Sequence, residues 1–116
     1  YLLWIAAYLF VYPLIARIRQ VAEHGNVPDL YDLDPRLNTR TTYANPLERL
    51  VFCPNHENYH LEHHLLASVP CHRLPELHRV LKHKGFYDGH QDAIASGYLD
   101  VIRRAVPEYA GGPQPV

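Results

Sequence analysis

The chain opens on an unbroken apolar run, YLLWIAAYLFVYPLIA over residues 1–16, in which no position is charged. As a helix, that run reaches about 24 Å at ~1.5 Å per residue. This is slightly less than the ~20 residues that cross a hydrocarbon core of ~30 Å. RIRQVAEHG, residues 17–25, keeps helical spacing through Ile18, Val21 and Ala22 and meets a stop at Gly25. Residues 1–25 are therefore expected to form the end of a transmembrane helix with a cytoplasmic extension. A signal peptide would need a basic region before the run and a small-residue cleavage site after it, and neither is present. A buried core helix of a soluble protein stays open on hydropathy alone. Trp4, Tyr8 and Tyr12 share one helical stripe, and Pro13 is expected to kink or loosen the last turn, as membrane helices tolerate. Arg17 and Arg19 follow directly, which by the positive-inside rule places this end in the cytoplasm.

Beyond Gly25 the pattern is punctuated. Residues 26–46 mix Pro, Asp, Asn and Thr without a period, which is loop chemistry. A short amphipathic stretch, residues 47–52, is stopped by Pro54. Residues 55–67, NHENYHLEHHLLA, read as a helix closed by Pro70. Residues 74–84 read as an amphipathic helix, with Pro75 in the first turn and Gly85 beyond the end. Residues 92–105 repeat the theme, with Ile94, Tyr98, Val101, Ile102 and Ala105 on a stripe that Gly97 weakens. The expected fold class is all-α: one partial transmembrane helix followed by cytoplasmic helices, as a fragment of a multi-pass membrane enzyme. The expected divisions are 1–25, a region of amphipathic helices over 26–110, and a disordered tail over 111–116, where the sequence is GGPQPV.

Composition changes this picture in one respect. A formal net charge of −1, with acidic and basic residues interspersed, leaves no nucleic-acid footprint. Cys53 and Cys71 lack metal or redox spacing and read as free thiols. Histidine is the outlier, nine in 116 residues, most of them after residue 55.

In a helix, His60, His63 and His64 stand at i, i+3 and i+4, within about one turn on one face, where three neutral imidazoles make a metal site; in a chain this rich in histidine, a chance arrangement of surface histidines is the alternative that spacing alone leaves open. Imidazole suits iron, zinc, copper or nickel, so the spacing supports a metal without naming it. His24, in a last helical turn, reads on physics alone as a partner for the helix dipole. His56, a turn before His60, is a further ligand or a donor behind the ligands, or simply a surface histidine. Glu62 points away from the histidine face and reads as solvated or ion-paired. His72, His78, His83 and His90 carry no clustered spacing and are assigned no chemistry.

PNHENYHLEHHLLASVPCHRLPELHRVL, residues 54–81, resembles the membrane fatty acid desaturase family around its third histidine box. RIRQVAEHG, residues 17–25, and NTRTTYANPLERL, residues 38–50, look like the segments that precede this box in one branch of the family. The resemblance implies a helical membrane enzyme with its histidine boxes on the cytoplasmic side. Its two non-haem irons are held mostly by histidine, and it uses dioxygen and two electrons to remove two hydrogens from an acyl chain. His60, His63 and His64 match the ligand positions of that box, and His24 matches a further ligand histidine upstream of it. His56, Asn55 and Asn58 have no equally firm counterpart.

The partners implied are an acyl lipid, the membrane, and an electron donor such as ferredoxin or cytochrome b5. The first two boxes do not occur in these residues, so the chain is expected to be the C-terminal part of a longer enzyme and inactive alone. A lipid or carotenoid hydroxylase or ketolase of the same superfamily, a non-catalytic truncated metal-binding membrane protein, and a hydrolytic three-histidine zinc site remain as alternatives.

Overall fold

The computed structural model describes residues 1–105. The apolar run and its extension form one helix, α1, Leu2–His24. At ~1.5 Å per residue it is about 35 Å long, enough to cross a bilayer. Its first half is bare: Leu2, Leu3, Trp4, Leu9, Phe10 and Leu14 are all exposed. Trp4, Tyr8 and Tyr12 stack as a ladder, with ring centroids 5.7 and 6.0 Å apart. The loosening expected at Pro13 is a π-type turn over Ala7–Val11, just before it. There the Tyr12 N–H reaches back to the Ala7 carbonyl. A widened turn relieves the contact between a proline ring and the preceding turn. α1 stops at Gly25, where a Cβ would lie 2.6 Å from the Val21 carbonyl oxygen, so this exit requires glycine.

Residues 26–46, read as loop, contain two short elements. α2, Pro35–Asn38, is a single turn capped by Asp34, whose carboxylate accepts from the Arg36 N–H. β1, Thr41–Thr42, pairs in parallel with β2, Ile94–Ala95, in the register Thr41 to Ile94 and Thr42 to Ala95. This small pairing departs from a purely helical reading, although the described residues are mainly helical.

The segment leading into β1 also caps α1. The Arg40 N–H and the Thr39 hydroxyl donate to the Glu23 carbonyl, and the Arg40 guanidinium donates to the Gly25 and Asn26 carbonyls. The orphan carbonyls at the helix end are thereby satisfied. That explains how Arg40 is buried, at 2 % exposure, without a carboxylate partner among the described residues.

α3, Pro46–Val51, begins with a capping box between Asn45 and Glu48. The helix expected over residues 55–67 is shorter: α4 is His60–Leu65. Asn55 and His56 both adopt positive φ, 61° and 63°, which breaks any helix before residue 60. α5, Leu74–His83, matches its expectation, including Pro75 in the first turn and Gly85 at φ 72° beyond the end.

The expected helix over 92–105 is also corrected. Residues 94–95 are strand, and α6 is Tyr98–Ala105. Ser96 starts it by donating from both its N–H and its hydroxyl to Asp100. The tail expectation for 111–116 lies outside the described residues.

Two apolar clusters fix the arrangement. In one, Ala22 of α1 meets Tyr98 and Val101 of α6, with Cys53 and Ala95, and Tyr98 stacks on Phe52 at 5.0 Å. In the other, Leu61 of α4 packs with Tyr87 and Ala93, flanked by Leu81, Phe86 and Ile94. The β1–β2 pair lies between them. The end of α1 and the whole of α4 are thus held against one small scaffold.

Candidate metal centre

His24 closes α1, and His60 and His64 lie one turn apart on α4. The Nε2 atoms of His24 and His60 are 3.1 Å apart, and those of His60 and His64 are 3.0 Å apart. One ligand nitrogen from each of the three lies within 4.8 Å of the others. Two nitrogens each ~2.1 Å from one ion and at right angles to each other are about 3 Å apart, so the spacing fits ligation of a single metal.

The tautomers agree with this. The Nδ1–H of His24 donates to the Asn38 carbonyl at 3.0 Å, which leaves the Nε2 lone pair facing the cluster. The His60 imidazole is held down to about 3 by burial, reinforced by His64, His24 and His63. Burial and the neighbouring imidazoles also lower His64. Both shifts favour the neutral form, in which imidazole binds a metal.

His63 is not in this cluster. Successive helical residues point ~100° apart, so His63 and His64 diverge to either side of His60. The His63 ring lies 6.1 Å from that of His60 and 6.3 Å from that of His64. It opens on a cavity of about 240 Å³ that Arg19, Glu57, His60, Cys71 and Leu74 also line. A second cavity, about 380 Å³, reaches the cluster from the other side, between Gln20, His24, Leu30, Asn38 and His64.

Glu23 stands at the edge of the cluster: its Oε2 is 3.7 Å from His60 Nε2, while Arg19 holds Oε1 at 3.1 Å. Sequence reasoning passed over it. Its only mark there is an acid adjacent to His24. His56 does not reach the cluster, because the positive φ of residues 55 and 56 turns it toward Arg49, whose guanidinium is 2.5 Å from His56 Nδ1.

Of the two readings of Glu62, solvated or ion-paired, the back of α4 bears out the paired one. Its side chain is fully buried and accepts from three groups: the Thr41 hydroxyl, the Tyr87 hydroxyl and His78 Nδ1, the last at 2.5 Å. His78, given no chemistry on spacing, is 5 % exposed, and its Nε2 lies 3.0 Å from the Tyr43 hydroxyl. Lys82 in turn donates to Tyr43 at 3.3 Å. Burial and the nearby Glu62 charge push the Tyr87 phenol far above its ordinary value, so it remains a donor. These partners lie 16 to 25 residues away from Glu62 in sequence, and no local spacing marks them.

Cys53 is buried and Cys71 exposed, and both are free thiols as expected.

Residues 1–96 match the fatty acid desaturase family. The chain is 35 % identical over 69 residues to dihydrorhizobitoxine desaturase of Bradyrhizobium elkanii. That alignment covers 60 % of this chain and 19 % of the relative, so the chain spans about a fifth of the length of the curated protein it matches. No solved structure is significantly similar. The family match takes in α1, β1 and the whole of α4, including every histidine of the cluster, and on that extent the chain belongs to the fatty acid desaturase family.

Proposed function

We propose that this chain is the C-terminal part of a membrane fatty acid desaturase, and that His24, His60 and His64 hold one iron of a non-haem di-iron centre. The observation that carries the reading is the convergence of three Nε2 atoms, with His24 turned to the correct tautomer by the Asn38 carbonyl. His63, diverging from His64 across His60, is the histidine of α4 that faces away from this cluster and is available to the second iron. The remaining ligands come from elsewhere in the longer protein.

Iron bound here supplies activation of dioxygen, which is what an unactivated methylene requires, having neither an acidic proton nor an electrophilic carbon. The protein's part is positional. α1 spans the bilayer, with Arg17 and Arg19 marking its cytoplasmic end, and His24 sits at the last residue of that helix. An acyl chain lying in the membrane is thereby brought to the histidines at the boundary. Oxidation removes two hydrogens from adjacent carbons. Two electrons from a donor such as ferredoxin or cytochrome b5, with two protons, complete the reduction of dioxygen to water.

The test is expression of the full-length protein in a host lacking the activity, with analysis of host lipids and of iron in the purified protein. Wild type is expected to yield a new unsaturated acyl product. His24→Ala, His60→Ala and His64→Ala are each expected to abolish it and to lower bound iron, with the protein still in the membrane. A hydroxylated or ketolated product would assign the neighbouring chemistry of the superfamily. Full product from His64→Ala would remove that residue from the ligand set.

A further inference from the structure

We propose that Glu62 is a positioning residue of the metal centre: clamped by His78, Tyr87 and Thr41, it locks the rotation of α4 and so the direction in which His60 and His64 present their Nε2 atoms. The proposal rests on the metal-centre reading above. α4 is only six residues long, His60–Leu65. It has no side-chain cap, and Tyr59 before it and Leu66 after it leave the helical region. So short a helix has little intrinsic stability, and its orientation must come from its packing.

Its histidines cannot supply that orientation, because they form the face that the site uses. The opposite face carries Leu61 and Glu62, the two fully buried residues of α4. Leu61 packs in an apolar cluster, which resists translation but is tolerant of rotation. Hydrogen bonds are directional, and Glu62 receives three of them from three elements. The Thr41 hydroxyl comes from β1, His78 Nδ1 from α5, and the Tyr87 hydroxyl from the turn beyond α5.

The donors are themselves fixed. With its proton on Nδ1, His78 accepts at Nε2 from Tyr43, which accepts from Lys82. Tyr87 is buried against Leu61. A carboxylate buried this deeply is retained only when fully satisfied, and its four lone-pair directions are nearly all taken. The clamp reaches the site through the helix itself, since Glu62 lies two residues after His60 and two before His64. A small rotation of α4 would carry His60 and His64 away from His24, which belongs to a different helix.

The test uses the full-length protein in detergent, stripped with chelator and reloaded with cobalt(II), whose visible absorption reports ligand geometry. Glu62→Gln keeps the shape and removes the charge, and Tyr87→Phe removes one donor. Both are expected to bind cobalt at wild-type stoichiometry, with affinity reduced about tenfold or more and with shifted bands. Glu48→Ala, which unlaces the capping box of α3, is the control. It is expected to lower the melting temperature while leaving affinity and bands unchanged.

Should Glu62→Gln fail to fold, Tyr87→Phe and Thr41→Val decide by the same readings. Wild-type affinity and bands in variants of lowered melting temperature would overturn the clamp and leave the metal centre standing. Wild-type cobalt binding by His64→Ala would instead overturn the metal-centre reading, and the clamp with it.

Discussion

At the scale of single residues, a side chain's role here follows from which groups the fold sets opposite it. Asp34 is a clear case, because its carboxylate caps α2 and also accepts from the Arg36 guanidinium. Those hydrogen bonds from Arg36 hold it down to about 2. A folded value below the unfolded ~3.9 means the contribution is present above about pH 4 and is lost as pH falls through the folded value. Asp34→Ala is expected to cost about 1 kcal/mol at neutral pH, as a lost cap does. The gap from wild type should close as pH falls toward about 2, followed by melting temperature in detergent. Backbone conformation is equally local. Asn55 holds φ 61°, which asparagine tolerates and a β-branched residue does not. Asn55→Val is expected to cost about 1–2 kcal/mol, while Asn55→Gly should leave the midpoint of thermal unfolding within error of wild type.

At the scale of elements, the long apolar helix and the short histidine helix are set by opposite influences. α1 is written in its own sequence: sixteen uncharged residues come first, then two arginines. Placing an arginine at Leu9 is expected to disfavour insertion of the segment by about 2.5–3.5 kcal/mol. Glycosylation mapping of residues 1–24 in a microsomal insertion assay would measure this, and unchanged insertion would argue against a spanning role for the segment. α4 is the reverse case. Its hydrophobic and histidine spacing continues smoothly through residues 55–67, yet the left-handed pair at 55–56 on one side and the non-helical Leu66 on the other bound it at six residues. Asparagine and histidine accept that conformation more readily than most residues, but they are also common within helices, so composition left the boundary open. The 94–95 pairing escaped for a related reason: a two-residue strand is too short to show a period.

At the scale of the molecule, two apolar clusters bring together segments remote in sequence. Leu61, Tyr87 and Ala93 seat α4. Leu61→Ala is expected to destabilise the fold by about 2–5 kcal/mol, and its loss of thermal stability should be accompanied by a loss of bound metal because the same packing seats the histidines. Val101→Ala, in the other cluster with Ala22, should loosen α6 against the end of α1. The two clusters share the β1–β2 pair, whose Thr41 also donates to Glu62. The histidine-bearing and buried sides of α4 therefore depend on one scaffold.

The amino-acid sequence by itself determined the family, the apolar helix, the amphipathic α5 and the histidine spacing, because each is a periodicity or a motif within a few dozen residues. Only the tertiary structure decided which histidines converge. His63 and His64 are neighbours in sequence, but helical rotation separates them, whereas His24, 36 residues from His60, is brought to within 3.1 Å of it. For His24, which spacing alone left as a helix-end partner and the family resemblance marked as a ligand, the structure supplied the geometry: the Asn38 carbonyl fixes its tautomer. Glu62 and His78 changed most, since burial gives a polar group its meaning and burial depends on what the chain folds over it. No spacing along α4 records that Thr41, His78 and Tyr87 would close around its back.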